Sequence, residues 1–210
     1  MRRKLLTIDQ YGVTLQRITE NDLELLRYWR NQQSVKQYMD YREYITPEMQ
    51  KKWFASVNNK FNYYFIIVFE GKKVGLINAK DFSYENGFGE GGIFIWDQEY
   101  INSFAAVFST LCILNFVFVE TKLCKLSRAR ILKNNERAIH YNSVIGYKLC
   151  PGQENVNNQL YELSLEEYTR SAQRLNKAAE ILNNGISRIT LKGEISDKNL
   201  DEINAVLSKS

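Results

Sequence analysis

The stretch ARILKNNERAIHYNSVIGYKL, residues 129–149, decides how the whole chain is interpreted. Its first residues alternate in polarity and predict the end of a strand. The asparagines at residues 134–135 mark a turn, and the following helix is expected to stop at Gly146, because glycine readily takes the left-handed conformation that ends helices. The unit is therefore strand, turn and helix. The triplet His-Tyr-Asn at residues 140–142 belongs either to a packing helix or to one end of an active site.

Before this unit, the pattern predicts one strand, two helices and three further strands. Thr19 and Thr46-Pro47 indicate the two helix starts, since threonine caps helices and proline suits the first helical position. The turns at Gly71 and Gly87 are short, which is typical of an antiparallel meander. The segments in chain order are VTLQRI, LELLRYWRN, MQKKWFASV, YYFIIVFE, VGLINAKDF and GEGGIFIWD.

A helix buried on most sides is predicted at FAAVFSTLCILNFVFV, residues 104–119. It is shorter than the ~20 apolar residues that a membrane span needs. The strand KLSRARIL follows it, and YKLC and QLYELSL are two more strands. Because a crossover helix between strands implies a parallel pair, we expect an α/β (α+β) fold with a mixed, mostly antiparallel sheet flanked by helices.

The chain changes character at about residue 166, so we expect a body at residues 1–165 and an extension at residues 166–210. EEYTRSAQRLNKAAEIL has one apolar stripe and predicts a single amphipathic helix, ISRITLKGEI a strand, and DKNLDEINAVL a last helix. Apolar faces of this helix-strand-helix extension need cover. We therefore expect it to dock on the body or on a second copy of the chain, as a homodimer.

The composition argues against several functions. The net charge is +4, but the basic residues are dispersed, so a nucleic-acid partner is not expected. Three cysteines with no paired spacing and one histidine argue against a metal site and suit a reducing cytoplasm. The start of the chain lacks the apolar core of a signal peptide, so a cytoplasmic location is expected.

The element order and two segments resemble the GNAT superfamily of acyl-CoA N-acyltransferases, over residues 13–165. In the first segment, Asn135, Ala138, Gly146 and Tyr147 have the spacing typical of that family, with tyrosine in place of phenylalanine. The second segment, GEGGIFIWDQEYINSFAA, is similar to the strand and helix start that hold the CoA pyrophosphate. The resemblance implies an N-acetyltransferase with acetyl-CoA as cosubstrate and no metal.

In that family the pyrophosphate meets backbone N–H groups at a helix N-terminus, which bind anions without basic side chains. The family's phosphate loop falls here on Ile101, Phe104 and Ala106, of which only Ala106 fits the pattern. Either the loop takes another course or the phosphate cradle is weakened, with Phe104 turned into the core between helix and sheet. The resemblance assigns the following residues to acetyl-CoA: Ile95, Trp96, Asn102, Ser103, Phe104, Ala105, Ala106, Asn135 and Ala138.

The same resemblance implies the chemistry of the site. Backbone N–H groups around Ile95 would stabilise the thioester oxyanion, where the strand splays from its neighbour. Glu90 is the candidate base, unless it is a solvated glutamate at a strand start, and Asp81 is the alternative, unless it is a turn residue. Tyr141 is the candidate acid, although counting from Asn135 displaces it by one place, and the other interpretation is that it packs against the sheet.

The acceptor is expected to be a small amine. The Glu-Gly-Gly pattern is similar to the branch that acts on ribosomal-protein N-termini and amino sugars, and a nucleotide-linked amino sugar is the leading interpretation. Aromatic and polar residues of the first helices suit a sugar that stacks and hydrogen-bonds. The expected acceptor residues are Tyr28, Arg30, Tyr38 and Asn78. The alternatives are acetylation of a protein N-terminus and a non-catalytic binding or assembly module, which the substituted phosphate loop favours.

Overall fold

A nine-stranded sheet forms the centre of the protein in the computed structural model, which describes residues 6–193. The strand order across the sheet is β7-β8-β6-β5-β4-β3-β2-β1-β9. The strands are β1 Thr7–Gln10, β2 Val13–Arg17, β3 Tyr63–Phe69, β4 Lys72–Ser83, β5 Phe88–Ile95, β6 Leu126–Leu132, β7 Lys148–Leu149, β8 Asn158–Ser164 and β9 Thr190–Lys192.

Helices cover both faces of this sheet. They are α1 Leu23–Asn31, α2 Gln33–Lys36, α3 Pro47–Val57, α4 Ala105–Leu114, α5 Glu136–Ile145, α6 Leu165–Ser171 and α7 Gln173–Leu182. A single 3₁₀ turn, Glu20–Asp22, precedes α1, and a π-helical turn, Asn115–Glu120, continues α4. Among residues 6–193, no helix combines the length and apolarity that crossing a membrane requires.

The strand pairing confirms the expected fold class. Neighbouring strands run antiparallel except β5 and β6, which are parallel because the α4 helix carries the chain over the sheet between them. Helix α4 contributes eight buried residues and is the central helix of one face. The sheet is therefore mixed and mostly antiparallel, as the segment order predicted.

The parallel pair β5–β6 is joined over only part of its length. Its paired residues run from Phe88↔Leu126 to Gly91↔Ala129, although both strands continue beyond the last pair. The strands therefore diverge after Gly91. This divergence opens a cleft between the carboxyl ends of β5 and β6, as expected from the resemblance.

Two hydrophobic cores lie on opposite faces of the sheet. Because side chains alternate along a strand, Ile93 and Ile95 of β5 pack with the core that includes α4, whereas Phe94 and Trp96 pack with the core that includes α1 and α3. The cleft thus has two walls of different origin. One belongs to the α4 face and the other to the α1–α3 face.

The structure departs from the predicted elements at the start of the chain and in the extension. Strand β1 was not predicted, because Tyr11-Gly12, both at positive φ, form a tight turn that the alternation alone does not show. The single amphipathic helix predicted from residue 166 is two helices, with a break at Ala172, whose N–H still donates to Tyr168 O at 2.9 Å. The predicted last helix, DKNLDEINAVL, lies outside the described residues.

The described part of the extension packs on the body. Tyr168 is 3% exposed and donates its hydroxyl to Asn115 Oδ1 at 2.7 Å. Tyr11 donates to Asn176 Oδ1 at 2.9 Å, and β9 pairs with β1 at the sheet edge. The expectation that the extension docks on the body is confirmed for these residues. The division of the chain at residue 165 and a homodimer stay predictions.

Candidate active site

The cleft at the divergence of β5 and β6 collects most of the residues expected from the sequence. Its walls also include side chains from α1, α4, α5 and β4 and from the segments that precede α3 and α4. The predicted residues that line it are Arg30, Tyr38, Asn78, Glu90, Ile95, Asn102, Ser103, Ala106, Asn135, Ala138 and Tyr141. The structure thus brings together residues more than one hundred positions apart in sequence.

Some backbone N–H groups of β5 point into the cleft between β5 and β6. Trp96 N–H donates to Val74 O at 2.9 Å, so the N–H group of Trp96 points toward β4. Because peptide groups alternate along an antiparallel strand, Ile93 and Ile95 direct their N–H groups to the opposite side, toward β6. Both residues lie beyond Gly91, the last residue paired with β6. These N–H groups can therefore donate to a carbonyl oxygen placed in the cleft.

The N-terminus of α4 forms the second part of the site. Its first intrahelical bond runs from Phe108 N–H to Phe104 O at 2.9 Å, so the N–H groups of the preceding residues have no intrahelical acceptor. Ser103 Oγ accepts from Ala105 N at 3.1 Å. Ala106 and Val107 follow in the first turn and line the cleft. Their N–H groups, at the positive end of the helix dipole, suit an anion.

Arg137 of α5 holds the loop in front of this helix. Its guanidinium donates to Ile101 O and, at 3.0 Å, to Asn102 Oδ1. This contact fixes the loop that replaces the family's phosphate loop, and it places a positive charge beside the α4 N-terminus. No role was predicted for Arg137 from the sequence, although it lies inside the Asn-Glu-Arg-Ala motif that carried the resemblance.

The α5 helix begins as its sequence predicted. Asn135 Oδ1 accepts from Ala138 N at 3.2 Å and caps the helix, and Gly146 ends it with φ of 116°. The Tyr141 hydroxyl lies 2.6 Å from Thr110 Oγ1 and 3.0 Å from Ala106 O, and its single proton can be donated to one of these acceptors at a time. Burial raises the pKa of Tyr141, so this hydroxyl stays protonated through the neutral range. Tyr141 therefore packs on α4 through its hydroxyl and also lines the cleft.

Glu90 lies on the α1–α3 side of the cleft between two cations. Its carboxylate oxygens are 2.8 Å from Lys80 Nζ and 3.5 Å from Arg130 Nε, and its side chain is 22% exposed. Lys80 also pairs with Asp81 at 2.6 Å. Asp81 has a φ of 52°, at the bulge where the β4–β5 register shifts, as a turn residue would. The candidate base is therefore part of a charge network, which the sequence did not indicate.

The α1–α3 side of the cleft carries Arg30, Asn78 and Tyr38, which are among the residues predicted to bind the acceptor. The Arg30 guanidinium lies 5.9 Å from the centre of the Phe94 ring, and burial lowers the pKa of this group. Asn78 is paired with Gly92 across β4 and β5, and a Cβ at Gly92 would lie 3.1 Å from its Nδ2. Gly92 thus keeps the floor of the cleft open beside Asn78.

Four predicted site residues have side chains that lie away from the cleft. Trp96 is 2% exposed and stacks on Trp29, with ring centres 6.0 Å apart, because Trp96 follows β5 directly and its side chain packs into the α1–α3 core. Ala105 is fully buried on the inner side of α4, and Tyr28 is an exposed residue of α1. The expectation that Phe104 turns into the core is wrong. Phe104 is 53% exposed, because the core side of α4 is already occupied by Phe108, on which its ring stacks at 5.3 Å.

The fold and the cleft define a class of protein in which a strand that diverges from its neighbour, here β5, lies beside a helix N-terminus, here that of α4. A family model of the acetyltransferase (GNAT) domain matches residues 13–148. That range is more than half of the 210 residues, so the chain belongs to the GNAT family of acetyltransferases. The resemblance seen in the sequence is confirmed at this level.

A curated relative matches about three quarters of this chain. The chain is 28% identical over 161 residues to an uncharacterized protein of Methanocaldococcus jannaschii, covering 73% of this chain and 31% of that protein. It therefore spans about a third of the length of that curated relative.

Two solved structures share the fold. FdhC, described as a nucleotide-linked sugar GNAT, has 20% identity and a TM-score of 0.66, covering 82% of this chain and 97% of its own. Spermidine N-acetyltransferase from Vibrio cholerae, in complex with CoA and spermine, has 14% identity and a TM-score of 0.62, covering 76% of this chain and 99% of its own. At these identities the likeness concerns the fold alone.

Proposed function

We propose that the protein is an acetyl-CoA-dependent N-acetyltransferase whose acceptor is a small amine, most specifically a nucleotide-linked amino sugar. The observation that carries this proposal is the divergence of β5 from β6 after Gly91, with the α4 N-terminus in the same cleft. Family membership supports the reaction, and the two solved relatives act on a sugar and on a polyamine by their descriptions.

The residues fit acetyl-CoA as cosubstrate. The N–H groups of Ala106 and Val107 would hold an anionic pyrophosphate, with Arg137 adding a positive charge nearby. The N–H groups of Ile93 and Ile95 would stabilise negative charge on the thioester oxygen, because they are fixed before the reaction and need no reorganisation. Phe104 lies outside the cleft and does not block this arrangement.

The reaction requires proton transfers at the acceptor nitrogen and at the leaving thiolate. The acceptor enters as an ammonium group and must lose a proton before its nitrogen attacks the thioester carbonyl, and Glu90 is our candidate to receive that proton through water. The nitrogen adds to the thioester carbonyl to form the carbon–nitrogen bond, and the carbon–sulfur bond breaks when this tetrahedral intermediate collapses. The leaving thiolate takes a proton, and Tyr141 is our candidate donor because its buried hydroxyl stays protonated. The second proton that the nitrogen must lose to become an amide then restores the Tyr141 hydroxyl through water.

Release of free CoA thiol tests this proposal directly. The protein is incubated with acetyl-CoA and a panel of nucleotide-linked amino sugars, free amino sugars, polyamines and short peptides. We expect acceptor-dependent thiol release with amino sugars, and a rise in melting temperature with acetyl-CoA alone. Ligand at about a hundred times its dissociation constant stabilises a fold by ~2.7 kcal/mol. The absence of both signals would favour the non-catalytic alternative, and turnover of peptides alone would favour N-terminal acetylation.

A further inference from the structure

Two polar atoms in the acceptor half of the cleft are buried and unpartnered. Within residues 6–193, Arg30 Nη1 and Asn78 Oδ1 are buried side-chain atoms with no hydrogen-bond partner. Both residues line the cleft. A buried donor of a charged group and a buried acceptor are costly to leave unsatisfied, and such groups in a native protein call for a ligand or another explanation.

The positions of these atoms follow from the register of β4 and β5. On the face toward α1, Phe94 is paired with Leu76, and Gly92 with Asn78. Successive residues on one face of a strand are roughly 7 Å apart. The Arg30 guanidinium lies over the ring of Phe94, and Phe94 is one such step along β5 from Gly92, the partner of Asn78.

The amine of the acceptor must lie near Gly92. The N–H groups proposed to hold the reacting carbonyl belong to Ile93 and Ile95, and the strand diverges from β6 directly after Gly91. A nitrogen that attacks this carbonyl from the acceptor side therefore lies beside Gly92, within reach of Asn78. Asn78 Oδ1 can accept a hydrogen bond from an ammonium or hydroxyl group, and Arg30 can only donate.

We propose that Arg30 and Asn78 form a subsite for an acceptor that carries an acidic group about one strand step from its amine. Arg30 donates to a carboxylate or phosphate oxygen, and Asn78 accepts from the amine or from a neighbouring hydroxyl. A guanidinium matches the geometry of both kinds of oxyanion. The acidic group of the acceptor is either a carboxylate on the sugar or a phosphate, which a sugar phosphate or a nucleotide-linked sugar would supply. This inference rests on the proposed acetyl transfer and names the acceptor class for the same site.

Matched acceptors test the subsite. Thiol release is measured with glucosamine, which has no acidic group, and with glucosamine 6-phosphate, glucosaminuronic acid and UDP-glucosamine, which have one. We expect kcat/KM for at least one acidic acceptor to exceed that for glucosamine by roughly 10- to 100-fold, the range for hydrogen bonds to charged groups. The acidic acceptor that is favoured identifies the source as carboxylate, phosphate or nucleotide. Equal kcat/KM for all four acceptors, or a preference for spermidine, overturns the inference.

Variants of Arg30 test whether this residue causes the preference for acidic acceptors. Arg30→Met is expected to lower kcat/KM for the acidic acceptor by more than it lowers kcat/KM for glucosamine, and Arg30→Lys is expected to keep part of the preference for the acidic acceptor. Arg174→Met removes the same charge from an exposed position on α7, outside the cleft lining, and is the control that should change nothing. An equal loss for all acceptors in Arg30→Met would overturn the inference.

Stability gives a readout that does not depend on turnover. If Arg30 is unsatisfied without ligand, Arg30→Met should keep or raise the melting temperature of the free protein, because it replaces a buried unpartnered donor with an apolar side chain. A clear fall in the melting temperature would show a structural role for Arg30 and overturn the inference.

If no amine is acetylated, the proposed function fails. Calorimetric binding of glucosamine 6-phosphate, glucosaminuronic acid and UDP-glucosamine to wild type and Arg30→Met then decides the subsite, since binding must depend on Arg30.

Discussion

Replacing Tyr141 with phenylalanine separates its packing role from its proposed role as an acid. The change keeps the ring and removes a hydroxyl that is 2.6 Å from Thr110 Oγ1 and 3.0 Å from Ala106 O. Leaving such buried groups without a partner costs about 1–3 kcal/mol. For a chain of this length, each kcal/mol lowers the melting temperature by about 2–4 °C. We therefore expect a fall of roughly 2–12 °C, measured by calorimetry.

The kinetic arm of this experiment needs a matched control. Tyr11→Phe removes a hydroxyl that donates to Asn176 Oδ1 at 2.9 Å, from a tyrosine that is 4% exposed and outside the cleft lining. Both variants should lose stability, but only Tyr141→Phe should lower kcat, by about 10²–10⁴-fold for a lost general acid. Equal kcat in the two variants would refute the acid role. An unchanged melting temperature in Tyr141→Phe would refute the hydrogen-bond argument itself.

The pH dependence of stability follows from the same burial. Burial raises the pKa of Tyr141 above the value of about 10 that an unfolded chain has. The unfolded chain therefore releases this proton first, and the stabilisation present below pH ~10 is lost as the pH rises toward the raised pKa. We expect the free energy of unfolding to fall above pH ~10. Denaturant titrations of Tyr141→Phe should show a smaller fall, and identical slopes would contradict this account.

The remaining predictions concern four other places. Glu90→Gln should lower kcat about 10²–10⁴-fold with little change in acetyl-CoA binding. An unchanged kcat would show that Glu90 is not the base and has only a structural role in its ion pairs. Phe104→Gly should leave the calorimetric affinity for acetyl-CoA near wild type because the ring lies outside the cleft; a large gain would contradict that placement. Gly146→Ala should cost more stability than Gly152→Ala, since both glycines have positive φ but only the first would bring a Cβ within 2.1 Å of the α6 helix. Deleting residues after Leu165 should expose apolar surface and cause aggregation in light scattering, and unchanged solubility and size would show an independent tether.

Local chemistry made much of the fold predictable. Helix α5 begins at an asparagine that caps it and ends at a glycine in the left-handed conformation, and both features depend only on residues within a turn of each other. The same holds for the proline start of α3 and the short turns of the meander. Prediction failed at the Tyr11-Gly12 turn and at the break in the extension, where contacts with the rest of the fold compete with local periodicity.

The sequence by itself determined the order of strands and helices, the parallel pair at the crossover and the motif that identifies the family. Only the tertiary structure decided which side chains share the cleft. Arg30 meets Phe94, and Glu90 meets Lys80 and Arg130, because strand register and the packing of α1 on the sheet bring distant positions together. Periodicity shows which face of an element is buried, but not which residue of another element it meets. For that reason the charge network around Glu90 and the unpartnered atoms of Arg30 and Asn78 become apparent only in the folded protein.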